Sequence, residues 1–323
     1  MACVELSNVI CSILITGAWR VLNYVWLRPK KLERCLRKQG LKGNSYRLMI
    51  GDMFESFMML KQAQSKPINL STCHDIAARV IPFVHQTVKN YGWDSFTWNG
   101  TRPKVNITKP EDIKEIFDKH DDFHKVVNPI TTLLISGFAI YEGEKWARHR
   151  TIINPAFHAL KLKEEYDTPF ENSTTIQGLA TPAPFATTTV LRLYPPVATL
   201  NRTTYKKTQL GTLSLPAGVE ASIPTLLIHQ NKELWGDDAE EFKPERFSEG
   251  VSKATKGQSL FFPFRGGPRI CIGQNFAVME VKIVLSLILQ QFILELSPSY
   301  AHAPSSVITL QPQYGVPVIL YKR

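Results

Sequence analysis

Residues 261–277 read FFPFRGGPRICIGQNFA, a lone cysteine set between a glycine-rich loop and a long apolar run. A helix starting directly after Cys271 would turn amide donors and the positive end of its dipole toward the sulfur, which favours a thiolate. Gly266, Gly267 and Gly273 permit tight turns and the close approach of a flat ligand to the backbone. Arg269, two residues before the cysteine, can set a guanidinium beside an anion carried by that ligand. Haem matches this description, being flat, taking a thiolate on iron and carrying two propionates. A buried structural cysteine at a helix start satisfies the same short pattern.

Segments further out bear on that choice. Trp146 and Arg150, in WARHR, stand four apart and so share one helix face. Alone, such a pair describes a surface ring and a solvated charge. Arg202 follows YPPV in TLNRTT, and PERF occupies residues 244–247.

The phrase Phe264-x-x-Gly267-x-Arg269-x-Cys271-x-Gly273 resembles the haem-binding signature of the cytochrome P450 haem-thiolate monooxygenases, with every fixed position filled. Trp146 and Arg150 resemble that family's W-x-x-x-R pair for a haem propionate, PERF resembles its segment upstream of the haem loop, and Arg202 falls where it often supplies another propionate contact. LRLYPPV, LNRTT and KELWGDDAEEFKPERFSEGVSKATKGQ are similar to plant microsomal members of the secologanin synthase type. The resemblance covers residues 1–163 and 190–323. It implies a mainly α fold with small β-sheets that binds haem (iron protoporphyrin IX), with Cys271 on the iron. Trp146, Arg150, Arg202, Phe264, Gly267, Arg269 and Gly273 would then contact the cofactor. The implied reaction is hydroxylation of a small hydrophobic plant metabolite, terpenoid-like, with O2 and electrons from an NADPH-dependent cytochrome reductase.

Three departures stand against that pattern. Family members are usually about half as long again, and the shortfall lies between Lys163 and Val190, where EEYDTPFENSTTIQGLATPAPFATTT has no apolar periodicity and reads as an irregular linker over 164–189. The fold is therefore expected to lack much of its central helices, including the one with an A/G-G-x-D/E-T motif that delivers protons in the family. The E-x-x-R motif should place glutamate three residues before Arg192, where this chain has Thr189. That leaves Arg192 and Arg246, the PERF arginine, alike in charge and under-compensated, with Glu245 poorly placed to replace the lost carboxylate. Arg265 and Gly266 stand where the resembled group has glycine and then an aromatic. A non-catalytic remnant, with or without haem, is thus an alternative to a working monooxygenase.

The formal charge is +10, and residues 28–47 hold eight Lys/Arg against Glu33 alone. A basic block could grip nucleic acid or an anionic membrane, and its neighbour decides between them. LSNVICSILITGAWRVLNYVWL, residues 6–27, is long enough for a membrane-crossing helix, with Arg20 as its one charge. No basic residue precedes the run and no A-x-A site follows it, against a cleaved signal. A buried amphipathic helix is the alternative. The expectation is a membrane anchor over 1–27, a basic membrane-proximal hinge over 28–47 that meets membrane lipid, and no nucleic acid. The haem domain would then have an N-terminal part, 48–163, and a C-terminal haem-binding part, 190–323. Flanking Lys/Arg would keep that domain on the cytosolic side of the endoplasmic reticulum membrane. Cys3, Cys11, Cys35, Cys73 and Cys271 show no C-x-x-C spacing, so no disulfide scaffold is expected.

Local patterns place helices in IAARVIPFVHQTVKNYG, broken at Pro82, in PEDIKEIFDK and in EGEKWARHRTIINPAF, with a strand in TRPKVNIT. KKTQLGTLSLPAGVEASIP reads as a hairpin around Pro216–Gly218, and VITLQPQYGVPVILYK as a second one. CIGQNFAVMEVKIVLSLILQQFILEL reads as one long helix, apolar all round and therefore buried.

Overall fold

The computed structural model describes residues 2–69, 74–126, 137–138, 140–157 and 183–323. Cys73 and most of the 164–189 stretch lie outside the described residues. The chain begins with helix α1, Ala2–Leu22, which runs through a single π turn, Asn23–Leu27, into α2, Arg28–Lys38. Asn8–Lys38 is long and apolar enough to cross a membrane. Side chains from Asn8 to Leu27 are exposed, with only Val25 partly covered, so the run is not a buried core helix.

The basic stretch expected to be a hinge is ordered. α2 turns Leu32 and Leu36 into the core, and buries Glu33 between Lys30 and Arg37. Burial alone pushes the Glu33 carboxyl up, but bonds from Lys30 and Arg37 outweigh it and hold the group below its ordinary value.

A six-stranded sheet forms the centre, in the order β1 (Lys42–Gly43), β2 (Ser95–Asn99), β3 (Arg102–Asn106), β8 (Glu220–Ile223), β5 (Leu200–Thr204), β4 (Phe123–Lys125). β2 and β3 are joined at Asn99-Gly100-Thr101-Arg102, where Gly100 takes φ 59°. Helix α3 (Met53–Gln64) follows β1, and Pro82 separates a turn at Ala77–Val80 from α4 (Pro82–Tyr91). Proline at the first helical position needs no amide partner, so α4 starts where α4's predecessor must stop. α5 (Pro110–Asp118) lays Ile113, Ile116 and Phe117 on the sheet's core with Phe96, Val105, Ala221, Ile223, Phe247 and Phe262. α6 (Gly143–Ile153) ends in a 3-10 turn at Asn154–Phe157.

Four expectations differ from the structure. α7 spans Ala183–Leu193, so the end of the stretch expected to be irregular is helical. The first hairpin forms one turn earlier than expected: β6 (Thr208–Leu210) pairs with β7 (Leu213–Leu215) across Gly211-Thr212, with Gly211 at φ 50°. β8 leaves it because β5 and β3 offer partners on both of its edges. The C-terminal run does not pair with itself. β11 (Leu310–Pro312) pairs with β10 (Pro304–Ser306), and β12 (Val318–Lys322) pairs with β9 (Phe292–Leu296) from Val318↔Leu296 to Lys322↔Phe292. Last, α8 (Gln274–Gln291) stops before FILEL, which is β9, and only Ser286 of the helix is buried. Val281, Val284, Leu285 and Leu287 are 38–47% exposed. Apolar composition calls for a cover that no described element supplies.

Candidate functional site

The cysteine loop is seated by α5. Cβ atoms built on Gly266 and Gly267 would lie 2.6 Å from the Phe117 ring and 2.5 Å from the Phe117 carbonyl oxygen. Gly267 also takes φ 64°, and no aromatic side chain fits at 266. These two glycines therefore fit the loop against the helix rather than against a ligand. Gly273 caps α8, and its nearest neighbour on that side is Phe157 at 4.0 Å, which leaves open space. The Cys271 N–H donates to the Phe264 carbonyl at 2.9 Å, and its side chain is exposed.

Cys271 opens into a cavity of about 460 Å³, walled by Trp146, Arg150, Phe264, Arg269, Lys125 and Arg265 together with apolar Pro196, Val197 and Ile272. Five of the residues singled out from the sequence thus meet: Trp146, Arg150, Phe264, Arg269 and Cys271. Arg202 lies behind the wall on β5, opposite Lys125 in the β4–β5 register. Gly267 is in the loop's seat and Gly273 is at the start of α8.

Each cation is held differently. Arg269 is buried, donates to the Tyr141 carbonyl at 2.9 Å and pairs with Glu142, with its guanidinium 3.9 Å from the Trp146 ring centre. Arg150 donates to the Ile270 carbonyl at 2.9 Å. Burial draws both guanidinium groups below their ordinary pKa. Arg202 is brought down to about 10, by burial and then by Arg265, and Lys125 to about 8, by burial and then by Arg269. No carboxylate lines the cavity among the described residues; Glu142 stands behind it, accepting from the Lys125 N–H at 3.1 Å. Cations gathered on a wall that carries no carboxylate among the described residues are well placed to face an anion. A soft sulfur beside a rim of cations suits a metal-centred flat ligand that carries carboxylates.

Lys125 and Arg265 were not anticipated. Lys125 reaches the wall only through the β4–β5 ladder, so nothing in its own neighbourhood signals the role. Arg265 does carry a signal: it is a large charged side chain inside a glycine-rich loop.

Behind the site, Arg192 is fully buried on α7. Its guanidinium donates to the carbonyls of His229 at 2.8 Å, Ala239, and Glu241 at 3.2 Å, but its Nε has no partner. Arg246 binds the Asp238 carboxylate and the Trp235 and Asp238 carbonyls, and its Nε is also unpartnered. Thr189, one helical turn before Arg192, is buried and returns its hydroxyl to the Phe185 carbonyl at 2.8 Å. Burial, then Arg246, brings Arg192 to about 10. Glu245 is exposed and takes no part. The expected shortage of negative charge is therefore met in part by Asp238, itself drawn to about 2 by Lys243 and Arg246.

The family model described as Cytochrome P450 matches residues 72–176 and 189–315. Cytochrome P450 72A397 of Kalopanax septemlobus is 35% identical over 497 aligned positions, which take in 94% of this chain and 95% of the relative. The 11-oxo-beta-amyrin 30-oxidase of Glycyrrhiza uralensis is 34% identical over 496 positions, with 94% and 95% covered. The 7-deoxyloganic acid hydroxylase of Catharanthus roseus is 32% identical over 511 positions, with 97% and 98% covered. Each alignment is longer than the 323-residue chain, so each crosses stretches of the relative that have no counterpart here.

Proposed function

The chain belongs to the cytochrome P450 family of haem-dependent monooxygenases, and from that premise we propose that it holds haem through Cys271. The observation that carries the reading is the Cys271 thiol opening into a cavity rimmed by cations and free of carboxylates among the described residues. Arg150 and Arg269 would hold the carboxylates from the cavity wall with Arg202 adding its charge from behind it, Trp146 and Phe264 would pack the ring, and the open side of Gly273 would admit its edge. Gly267 would act through the loop's seat on Phe117. When bound, haem supplies the redox iron for oxygen chemistry. The chain's own part is to present the sulfur to the cavity, to neutralise the cofactor's carboxylates and to shield the iron's sulfur side from water.

By this reading the ancestral activity is hydroxylation of a small hydrophobic plant metabolite, terpenoid-like, with electrons from an NADPH-dependent reductase. An oxidase and a hydroxylase among the relatives support that class. Residues 1–27 anchor the chain in the endoplasmic reticulum membrane, with 28–47 against the lipid surface and the parts 48–163 and 190–323 facing the cytosol.

A second reading, a non-catalytic remnant that keeps the haem side, is favoured by the bare apolar face of α8. The missing residues would be central helices that cover this face and carry the proton-delivering pair, for which the sequence has no A/G-G-x-D/E-T motif. The reduced carbon monoxide difference spectrum tests the haem reading. Wild type should show a thiolate-type band that Cys271→Ala abolishes and Cys35→Ala keeps. An unchanged band in Cys271→Ala refutes the ligand. Reductase-driven, coupled hydroxylation by wild type would refute the remnant reading alone.

A further inference from the structure

We infer that Arg265 is a further ligand-holding residue of this cavity, its guanidinium placed to take a carboxylate of the bound cofactor, an inference that rests on the haem reading above. Arg265 stands at φ 69°, in the left-handed region that disfavours any residue with a Cβ. The surrounding structure fixes it there. Its N–H donates to the Phe262 carbonyl at 2.9 Å, the Cys271 N–H closes onto Phe264, and the next two residues press against Phe117. Glycine would meet every one of these backbone demands with less strain. The backbone therefore does not account for an arginine, and its side chain must.

That side chain lines the cavity beside Cys271. It makes no hydrogen bond or ion pair among the described residues, whereas Arg150 has the Ile270 carbonyl and Arg269 has Glu142 and the Tyr141 carbonyl. Its charge disfavours the charged forms of Lys125 and Arg202 and is itself disfavoured by Arg269, with Cys271 and Glu142 pulling the other way. A strained guanidinium with no hydrogen-bond partner of its own among the described residues, beside three other cations, gains once a carboxylate enters the cavity. The planar fork of a guanidinium matches a carboxylate through two parallel N–H donors, and haem brings two carboxylates.

The test loads the full-length protein, in detergent, with haem and separately with haem dimethyl ester, whose carboxylates are masked. Ligand loss is followed by transfer to excess apomyoglobin. Arg265→Gly should release haem about tenfold faster than wild type, as expected for a lost bond to a charged group. It should release the ester at the wild-type rate. Its ligand-free Tm should rise, since strain and like-charge crowding are both relieved. Arg265→Lys should recover part of the retention. An Arg265→Gly protein that holds haem as well as wild type overturns the inference, and so does one that loses ester and haem equally faster. A wild-type chain that takes up neither ligand overturns the haem reading itself, and the role of Arg265 with it; a thiolate band in wild type shows that only the Arg265 inference has failed.

Discussion

At the scale of single residues, two buried arginines are incompletely satisfied: Arg192, one helical turn after Thr189, and Arg246 of PERF. The Nε atoms of Arg192 and Arg246 are both buried without an acceptor, although Asp238 serves the far end of Arg246. A buried cation with an incomplete set of partners is destabilising by about 1–3 kcal/mol for each unmade bond. Thr189→Glu should place a carboxylate where those atoms lack one, and raise stability by about 1–3 kcal/mol in thermal or denaturant unfolding. Thr189→Gln, neutral and of similar size, separates charge from shape and should gain less. Equal midpoints for the two variants would mean that residue 189 does not face the arginines. By the remnant reading proposed above, neither variant should support hydroxylation, because the residues that would deliver protons are not added. The absence of a carboxylate at 189 was legible from the E-x-x-R spacing. Its partial replacement by Asp238 was not, because that contact depends on a loop after Trp235 folding back on PERF. Arg269 could be tied to Cys271 by spacing alone, whereas its partner Glu142 lies 127 positions away in the chain.

At the scale of elements, local signals identified the helices that proline and acidic first turns open, but not α7, and partners in distant sequence decided the strands. Pro82, Pro110 and the acidic first turn of α5 start helices by rules that act within a few residues. Pairing obeys no such locality. Pro216–Gly218 has ordinary turn chemistry, yet β8 runs between β3 and β5, so the turn links two sheets instead of closing a hairpin. The two-residue turn Gly100-Thr101, entered from Asn99, was the better signal for a hairpin, since its glycine takes positive φ at no cost. α8 shows a different limit. Composition says what a helix needs against it, but cannot say whether the chain still carries the cover. Because Val284 and Leu285 are 47% and 40% exposed, Val284→Lys and Leu285→Lys should change stability by no more than about 0.5 kcal/mol each. They should also lower dye binding and aggregation, since the apolar patch would be interrupted. Ile113→Ala, at a fully buried position on α5, should cost about 2–5 kcal/mol in the same assay. A large loss from either lysine would show that the face is covered in solution.

At the scale of the whole molecule, the exposed apolar helix and the folded domain are continuous through α2. The helix does not end where the apolar run does: it passes the π turn at Asn23–Leu27 and continues to Lys38. Leu36 is fully buried in the main core and Leu32 nearly so, and Glu33 also accepts from the Tyr46 N–H. By the anchor reading proposed above, the boundary falls near residue 28, between the exposed apolar chain and the chain that meets the core. Deleting residues 1–27 should move much of the protein off membranes and leave a folded domain, at the modest cost of the Tyr46 hydroxyl bond to the Val25 carbonyl. The residual binding should be weak and salt-sensitive, because Lys30, Lys31, Arg34 and their neighbours attract anionic lipid only within a Debye length of about 10 Å. Deleting residues 1–38 should behave otherwise. It strips Leu32 and Leu36 from the core, each worth about 2–5 kcal/mol, which rivals the stability of a typical domain. Membrane flotation at low and high salt, paired with thermal unfolding of both truncations, checks the division. Full membrane retention of the shorter deletion at high salt would show that the apolar run is not the anchor, and equal unfolding midpoints for the two deletions would show that α2 is not part of the folded domain.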